Sequence, residues 1–297
     1  MVMTDRASRA VESFGRFGRR RCRNAEREGK LEAGVRSGPC RGRRIQFLIV
    51  VLLTATLSPP VRAQGTLRVA AYNVKHGLGL DGVIDLERIA DVLRPLDADV
   101  ITLQEIDSGT ERTDRVDQAT RLGELLGMQA FFGDFMPYQG GEYGMAVLSR
   151  LPVARVVNHR LPNGEEPRTG LEVEVRVGPE GRRVSVVGIH LYRTPEERLA
   201  QADSLSAILD RREHPVVLAG DFNSRRGDRI LRSLQAQNWF VVDKDGPAET
   251  FPADDPVREI DFVMLRPAES FEIVEHRVID ERVASDHVPL LIVLRIW

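Results

Sequence analysis

Pro215-Val216-Val217-Leu218-Ala219-Gly220-Asp221-Phe222-Asn223-Ser224 is the stretch on which the reading of the fold turns. Its apolar run, Val216 to Ala219, has the length and β-branched character of a buried strand, and it stops at a glycine. Asp221 and Asn223 follow, two residues apart. Alternate side chains of an extended chain share a face, so both should leave the strand end together. Open sheets place ligands at strand ends. A carboxylate beside a carboxamide sets an acceptor next to a donor, which suits holding a water beside a phosphate or a metal. Taken alone, Asp and Asn after Gly are ordinary turn chemistry. The rest of the chain decides between the two readings.

Outward from this strand, Arg183 to Leu191 and Leu171 to Val177 alternate strongly and are joined by Gly178-Pro179-Glu180-Gly181, the pattern of an antiparallel hairpin. Leu67 to Asn73 is β-like, with Val69, Ala71 and Asn73 on one face. Val100 to Leu103 reads as a buried strand ending at Gln104-Glu105. Met128 to Phe132, Met145 to Ser149, Val153 to Val157, Ile260 to Leu265, Phe271 to Val278 and Val288 to Leu294 are further strands. Helical spacing appears at Asp85 to Leu96, Gln118 to Leu126 (closed by Gly127), Pro195 to Leu209 and Arg229 to Ala236. Many strands with helices interleaved, but no strict βαβ rhythm, predict an α/β (α+β) fold of mixed sheets packed together with helices outside.

The first 63 residues read differently. Residues 1–44 are crowded with Arg and Gly and lack periodicity, Ile45 to Leu57 is an apolar run of thirteen, and Val61-Arg62-Ala63 follows Ser58-Pro59-Pro60. A basic n-region, a short apolar stretch and a small-x-small ending make a secretory signal peptide cut near Ala63. The apolar run is short of the roughly 20 residues a spanning helix needs, and a retained membrane anchor is the alternative. The expected division is therefore a leader over 1–63 and one catalytic domain over 64–297, secreted or periplasmic. From residue 64 onward the chain has 28 Arg and Lys against 39 Asp and Glu. That balance disfavours tight non-specific binding of a polyanion such as nucleic acid. Both cysteines, Cys22 and Cys40, lie in the leader, so the expected mature chain has neither disulfide nor thiolate metal site.

Polar groups recur at or near strand ends: Asn73, Glu105, His190, Asp221 with Asn223, Asp261, and Asp286-His287. Each alone has a bland reading as turn former, cap or satisfied interior group. Asp261 is the hardest to dismiss, because a carboxylate in an apolar strand costs desolvation unless it has a partner. Together they point to metal-assisted phosphoester hydrolysis. Oxygen ligands without thiolate select a hard cation, Mg²⁺ first, with Mn²⁺ or Ca²⁺ as alternatives. Glu105 and Asp286 are the charged ligands of choice, and the cation would neutralise phosphate charge. His287 can accept a proton near neutral pH, and a buried Asp261 bonded to it would fix its tautomer.

The ordered series Tyr72-Asn73, Leu103-Gln104-Glu105, Gly144-Met145-Ala146-Val147-Leu148-Ser149-Arg150, His190-Leu191, Gly220-Asp221-Phe222-Asn223, Ile260-Asp261-Phe262 and Ser285-Asp286-His287 resembles the endonuclease/exonuclease/phosphatase superfamily over roughly residues 67–295. The resemblance implies a four-layer sandwich of two mixed β-sheets with helices on the outer faces and the active site at one edge. It implies Glu105 as metal-binding residue with Asn73 and Asp286 adjoining the metal. It assigns Asp221 and Asn223 to orienting water and phosphate, His287 with Asp261 to a His–Asp dyad, and His190 to a phosphate oxygen. It leaves open whether Asp221 or His287 is the base. Met145 stands where Asn is frequent, and Ile189 where Thr is frequent before His-Leu. No acid, base or metal position is lost.

The implied reaction is in-line attack of water on a phosphodiester or phosphomonoester. Nucleic acid, a lipid headgroup and a small phosphate ester all stay open as substrates. Phe131-Phe132 and Trp239-Phe240 are expected in the core rather than on a membrane-facing loop. No obligate protein partner is evident, and a monomer is expected. The rival from another class is a non-catalytic secreted binding module on the same fold.

Overall fold

The computed structural model describes residues 65–297. The expected leader, its cleavage point and both cysteines lie outside the described residues. The strands are β1 (Gly65–Asn73), β2 (Val100–Ser108), β3 (Gln129–Tyr138), β4 (Gly141–Ser149), β5 (Val153–Arg160), β6 (Thr169–Val177), β7 (Arg182–His190), β8 (Val216–Asp221), β9 (Phe240–Val241), β10 (Asp261–Arg266), β11 (Phe271–Val278) and β12 (Leu290–Ile296). The helices are α1 (Leu86–Leu93), α2 (Gln118–Leu126), α3 (Pro195–Leu209) and α4 (Arg229–Ala236).

One sheet has the order β11-β12-β1-β2-β4-β3, the other β5-β6-β7-β8-β10-β9. Each is mixed: β1–β2 and β7–β8 are parallel and their other neighbours antiparallel. Alternation assigns the faces. Leu67, Val69 and Ala71 of β1 join Val217 and Ala219 of β8 and Val263 and Leu265 of β10 in a core between the sheets. Ala70 and Tyr72, pointing the other way, pack with Leu86, Ile89 and Leu93 of α1 and Leu122 of α2. Leu218 and Met264 pack with Leu205 and Leu209 of α3 and Ile230 and Leu234 of α4. The result is the expected four-layer α/β sandwich. Full burial of such side chains is worth about 1.5–3 kcal/mol each, so one-residue slips of register are strongly disfavoured.

Local signals set the helix ends. Asp85 accepts from the Arg88 amide (2.9 Å) ahead of α1, and Asp117 from the Thr120 amide (3.1 Å) ahead of α2. Gly127, in the left-handed region at φ 65°, closes α2. The predicted hairpin of β6 and β7 forms in antiparallel register, Val177 opposite Arg182.

The structure corrects four expectations. Strand β2 does not end at Glu105 but runs on to Ser108, because Glu105 is a bulge residue rather than a strand terminus. Asp261 opens β10 instead of lying inside it. Of the aromatic pairs, Trp239 is buried and Phe131 and Phe132 are half-buried, but Phe240 is 45 % exposed on the two-residue edge strand β9, which the sequence reading missed. Met145 faces the core between the sheets, fully buried, so the departure there alters packing rather than the site.

Gly220 shows why the opening stretch needs a glycine before its acid. Its φ is +143°, and a Cβ there would lie 2.2 Å from the Ile189 carbonyl oxygen on the neighbouring strand. Gly220→Ala should therefore destabilise the fold by about 1–3 kcal/mol, read as a clear drop in thermal midpoint with Ala219→Gly as the control for a change of residue alone.

Candidate active site

Strand register assembles the site. His190 ends β7 and pairs with Asp221 of β8, and Asp221 pairs with Asp261 of β10. Three neighbouring strands thus present His190, Asp221 and Asp261 in one row. On the facing sheet Asn73 ends β1 opposite Gln104 of β2. The next residue, Glu105, is the extra residue of a β-bulge between Gln104 and Ile106, at φ 60°. A bulge re-aims a side chain. Here Glu105 lines the same cavity as His190 and Asp221 instead of taking its place in the ladder.

One side chain joins the two rows. Asn73 Nδ2 donates to Glu105 Oε1 (3.1 Å) on its own sheet and to Asp221 Oδ2 (3.2 Å) on the other. Ser285 Oγ donates to the Asn73 carbonyl (2.7 Å), which ties the Ser285-Asp286-His287 segment to the end of β1. His287 Nδ1 donates to Asp261 Oδ2 at 2.9 Å, leaving Nε2 on the side of Asp221 Oδ2, 3.8 Å away. His190 Nε2 lies 3.4 Å from the same Asp221 oxygen. The Asn223 amide donates to Asp221 Oδ1 (2.7 Å), and Asn223 Nδ2 donates to the Leu191 carbonyl (2.9 Å). Asn223 holds φ 49°, a region asparagine tolerates. Glu105, His190, Asp221, Asn223, Asp286 and His287 line one cavity of about 400 Å³. The sequence-predicted residues are thus brought together, with Asn73 and Asp261 bonded to the lining from behind.

Burial and charge set the protonation. Burial raises the Asp221 carboxyl, and the neighbouring Asp261 raises it further, to about 7. Burial opposes charge on His287, but Asp261 beside it, with Asp221 and Asp286, outweighs that and raises it to about 10. His190 moves the other way: burial, then Arg168 and His287, lower it well below its ordinary value, so it is a neutral imidazole. Burial also raises Glu105, with Asp286 adding to the rise and Asn73 opposing it.

The residues fit a cation. Glu105 and Asp286 are like charges sharing one cavity, a situation a divalent ion relieves. Lys75 Nζ, 2.9 Å from Asp286 Oδ2, already supplies one positive charge there. Among the described residues Asp221, Asp261 and His287 also have donor atoms within 4.8 Å of one another. That group is an acid and histidine cluster capable of holding a metal. In it, however, Asp261 already takes the His287 Nδ1–H, and a protonated imidazole repels a cation. Glu105 and Asp286 offer carboxylate oxygens to the same cavity, with Asn73 bonded to Glu105.

Sequence reasoning missed three participants. Lys75 lies two residues beyond Asn73 and Ser285 opens the Ser285-Asp286-His287 motif, but only the fold shows that one pairs with Asp286 and the other pins the loop. Arg168, also in the cavity lining, follows a run of turn residues and charges (162–167) that reads as a solvated loop.

Residues 70–287 match the model of the endonuclease/exonuclease/phosphatase family. The YbhP protein of Escherichia coli K12, itself uncharacterized, is 26 % identical over 247 residues, covering 78 % of this chain and 97 % of that protein. The crystal structure of an endonuclease/exonuclease/phosphatase from Beutenbergia cavernae superposes with a TM-score of 0.63 at 27 % identity, covering 78 % of this chain and 72 % of that one. A mannosyl-6-phosphatase from Bacteroides thetaiotaomicron gives a TM-score of 0.63 at 17 % identity over 77 % and 99 % of the two chains. Fold and cavity define a hydrolase of the phosphoesterase class. The chain belongs to the endonuclease/exonuclease/phosphatase family.

The charge balance around His287 is testable directly. Asp261→Asn removes the carboxylate that raises it, so the His287 pKa should fall from about 10 toward or below the usual histidine range. Titration of its ring signals by NMR checks this, and an unchanged pKa contradicts the dyad.

Proposed function

We propose that this chain is a divalent-cation-dependent phosphoric ester hydrolase that cleaves a small phosphate ester by in-line attack of water, without a covalent intermediate. The observation that carries this reading is the single cavity in which His190, Asp221 and His287 meet Glu105 and Asp286, with Asp261 bonded to His287 from behind. A cation held by Glu105, Asp286 and Asn73 would neutralise phosphate charge and ease departure of the leaving oxygen. All-oxygen ligands favour Mg²⁺.

Asp221 is the residue we assign to the attacking water. His287 is protonated through neutrality, so it cannot take another proton, whereas Asp221 Oδ2 is an acceptor set between the two histidines. His287, as imidazolium oriented by Asp261, stabilises the charge that builds on the phosphate and can return a proton from Nε2. Neutral His190 and the second Nδ2 hydrogen of Asn223 are donors for phosphate oxygens. The excess of acids outside the cavity and the cavity's modest volume favour a small ester over nucleic acid. One relative of the same fold is a mannosyl-6-phosphatase.

We also infer export, supported by the leader pattern ending at Ala63. N-terminal sequencing that starts near Gln64 fits it, and a retained Ile45–Leu57 stretch indicates the membrane-anchored form.

The test is hydrolysis of bis-(p-nitrophenyl) phosphate with Mg²⁺, Mn²⁺ or Ca²⁺. Asp221→Ala and His287→Ala should each lower kcat by about 10²–10⁴. Wild type no faster than both variants with every ion would instead favour a binding module. The pH profile has a definite sign. Ionised Asp221 is required, so activity falls as pH drops through about 7, a limb that a bound cation moves lower. Protonated His287 is required, so activity falls again as pH rises through its pKa, about 10 without a cation and lower beside one.

A further inference from the structure

Behind the His287–Asp261 pair, outside the cavity lining, lies a buried lysine. Lys244 follows the end of β9 by three residues, and its side chain is fully covered. Its ammonium donates to Glu259 Oε1 at 2.7 Å and to the Asp261 carbonyl at 3.0 Å, and sits 4.9 Å from the centre of the Phe262 ring. Burial lowers its pKa, and Glu259 first, then Asp261, oppose that. An ammonium is strongly hydrated in water, so it is kept in such a place only by fixed partners.

Strand geometry explains why one partner is Asp261. Strand β9 pairs only with Met264 and Leu265 of β10, and the Val242 amide adds one more bond, to the Val263 carbonyl (3.0 Å). Beyond that point, among the described residues, no strand lies beside the outer edge of β10. Asp261 is the first residue of β10, and its pairing with Asp221 lies on the other edge. Side chains take the place of the missing strand. The Asp261 amide donates to Thr250 Oγ1 (3.3 Å), and its carbonyl accepts from Lys244. A strand terminus without such bonds frays. Asp261 is also the residue whose carboxylate accepts from His287 Nδ1 at 2.9 Å, so a frayed Asp261 is a loosened dyad.

Glu259 alone does not account for the lysine. Arg226, on the surface, already meets both of its carboxylate oxygens, Nε to Oε2 at 2.9 Å and Nη2 to Oε1 at 3.2 Å. A second cation, fully dehydrated, beside a carboxylate that is already paired is a poor staple, because its desolvation offsets the attraction. The consequence left to it is at Asp261.

We propose that Lys244 is a positioning residue of the catalytic dyad: it fixes the first residue of β10 so that the Asp261 carboxylate keeps its bond to His287. It acts through Asp261 and touches no substrate, since neither Lys244 nor Glu259 lines the cavity. Its effect on turnover rests on the hydrolase reading, whereas its effect on the Asp261–His287 bond does not.

The first measurement needs no turnover. The His287 Nδ1 nitrogen and proton resonances, assigned by their loss in His287→Gln, are read near neutral pH in EDTA. Lys244→Met keeps the apolar stem but removes charge and donor, and should shift the proton upfield as the bond to Asp261 loosens. Lys244→Gln, which keeps a donor, should shift it less, and it carries the test should Lys244→Met not fold. Arg226→Met, which removes the other partner of Glu259, should lower stability and leave the resonances in place. Equal shifts in Lys244→Met and Arg226→Met reduce the lysine to a staple and overturn the proposal, as do unmoved resonances in the lysine variants.

Kinetics supply the second reading. With bis-(p-nitrophenyl) phosphate, Lys244→Met should lower kcat by about 10- to 100-fold with KM little changed, and Lys244→Gln by less. Full kcat in a folded Lys244→Met overturns the proposal. Wild type inactive with every ion would remove the hydrolase reading, and the resonances alone would then decide whether Lys244 positions Asp261.

Discussion

Asn73 is the joint of this molecule. Its carboxamide nitrogen reaches Glu105 on its own sheet and Asp221 on the facing one, at 3.1 and 3.2 Å. Two carboxylates from two sheets would otherwise repel across a half-dry gap. One neutral donor lets them share it. The Asn73 carbonyl holds Ser285 and so anchors the segment that brings Asp286 and His287. Two sheets packed through an apolar core thus meet at one edge in a polar knot.

The knot explains the backbone around it. Glu105 takes a left-handed conformation and steps out of the β2 ladder as a bulge, because an ordinary strand residue there would keep its regular place in the pleat. At Gly220 φ is +143°, and the neighbouring carbonyl leaves no room for a Cβ. Asn223 is also left-handed. Three residues of one site thus hold positive φ, with Glu105 the one that is neither Gly nor Asn, and the apolar packing on either side holds them there. Burial lowers His190 and raises Asp221 to about 7, whereas at His287 burial is outweighed by the carboxylates around it, Asp261 first, and the ring rises.

Much of this was legible in the sequence, for physical reasons that can be named. Alternation in Leu67 to Asn73 and in the β6–β7 hairpin fixed faces correctly, since a period of two has only two solutions. Helices α2, α3 and α4 fell at their predicted residues, because caps, Pro195 and Gly127 are local signals. The polar residues near strand ends converged as expected. What was not legible depended on register and tertiary contact. The bulge at Glu105 leaves no local mark, edge strand β9 is too short to show a period, and Arg168 looks like any loop arginine until three rings close around it. Lys75 reveals its role only when Asp286 arrives from 211 residues away to meet it.

The central claim is that Asn73 unites both sheets into one cation- and phosphate-handling centre. Calorimetric titration of Mg²⁺ into wild type and into Asn73→Ala, with folding checked by circular dichroism, tests it most directly. The account predicts one saturable site in wild type, weakened about 10- to 100-fold by the substitution. Equal Mg²⁺ affinity in the two proteins, or no binding in either, would contradict it.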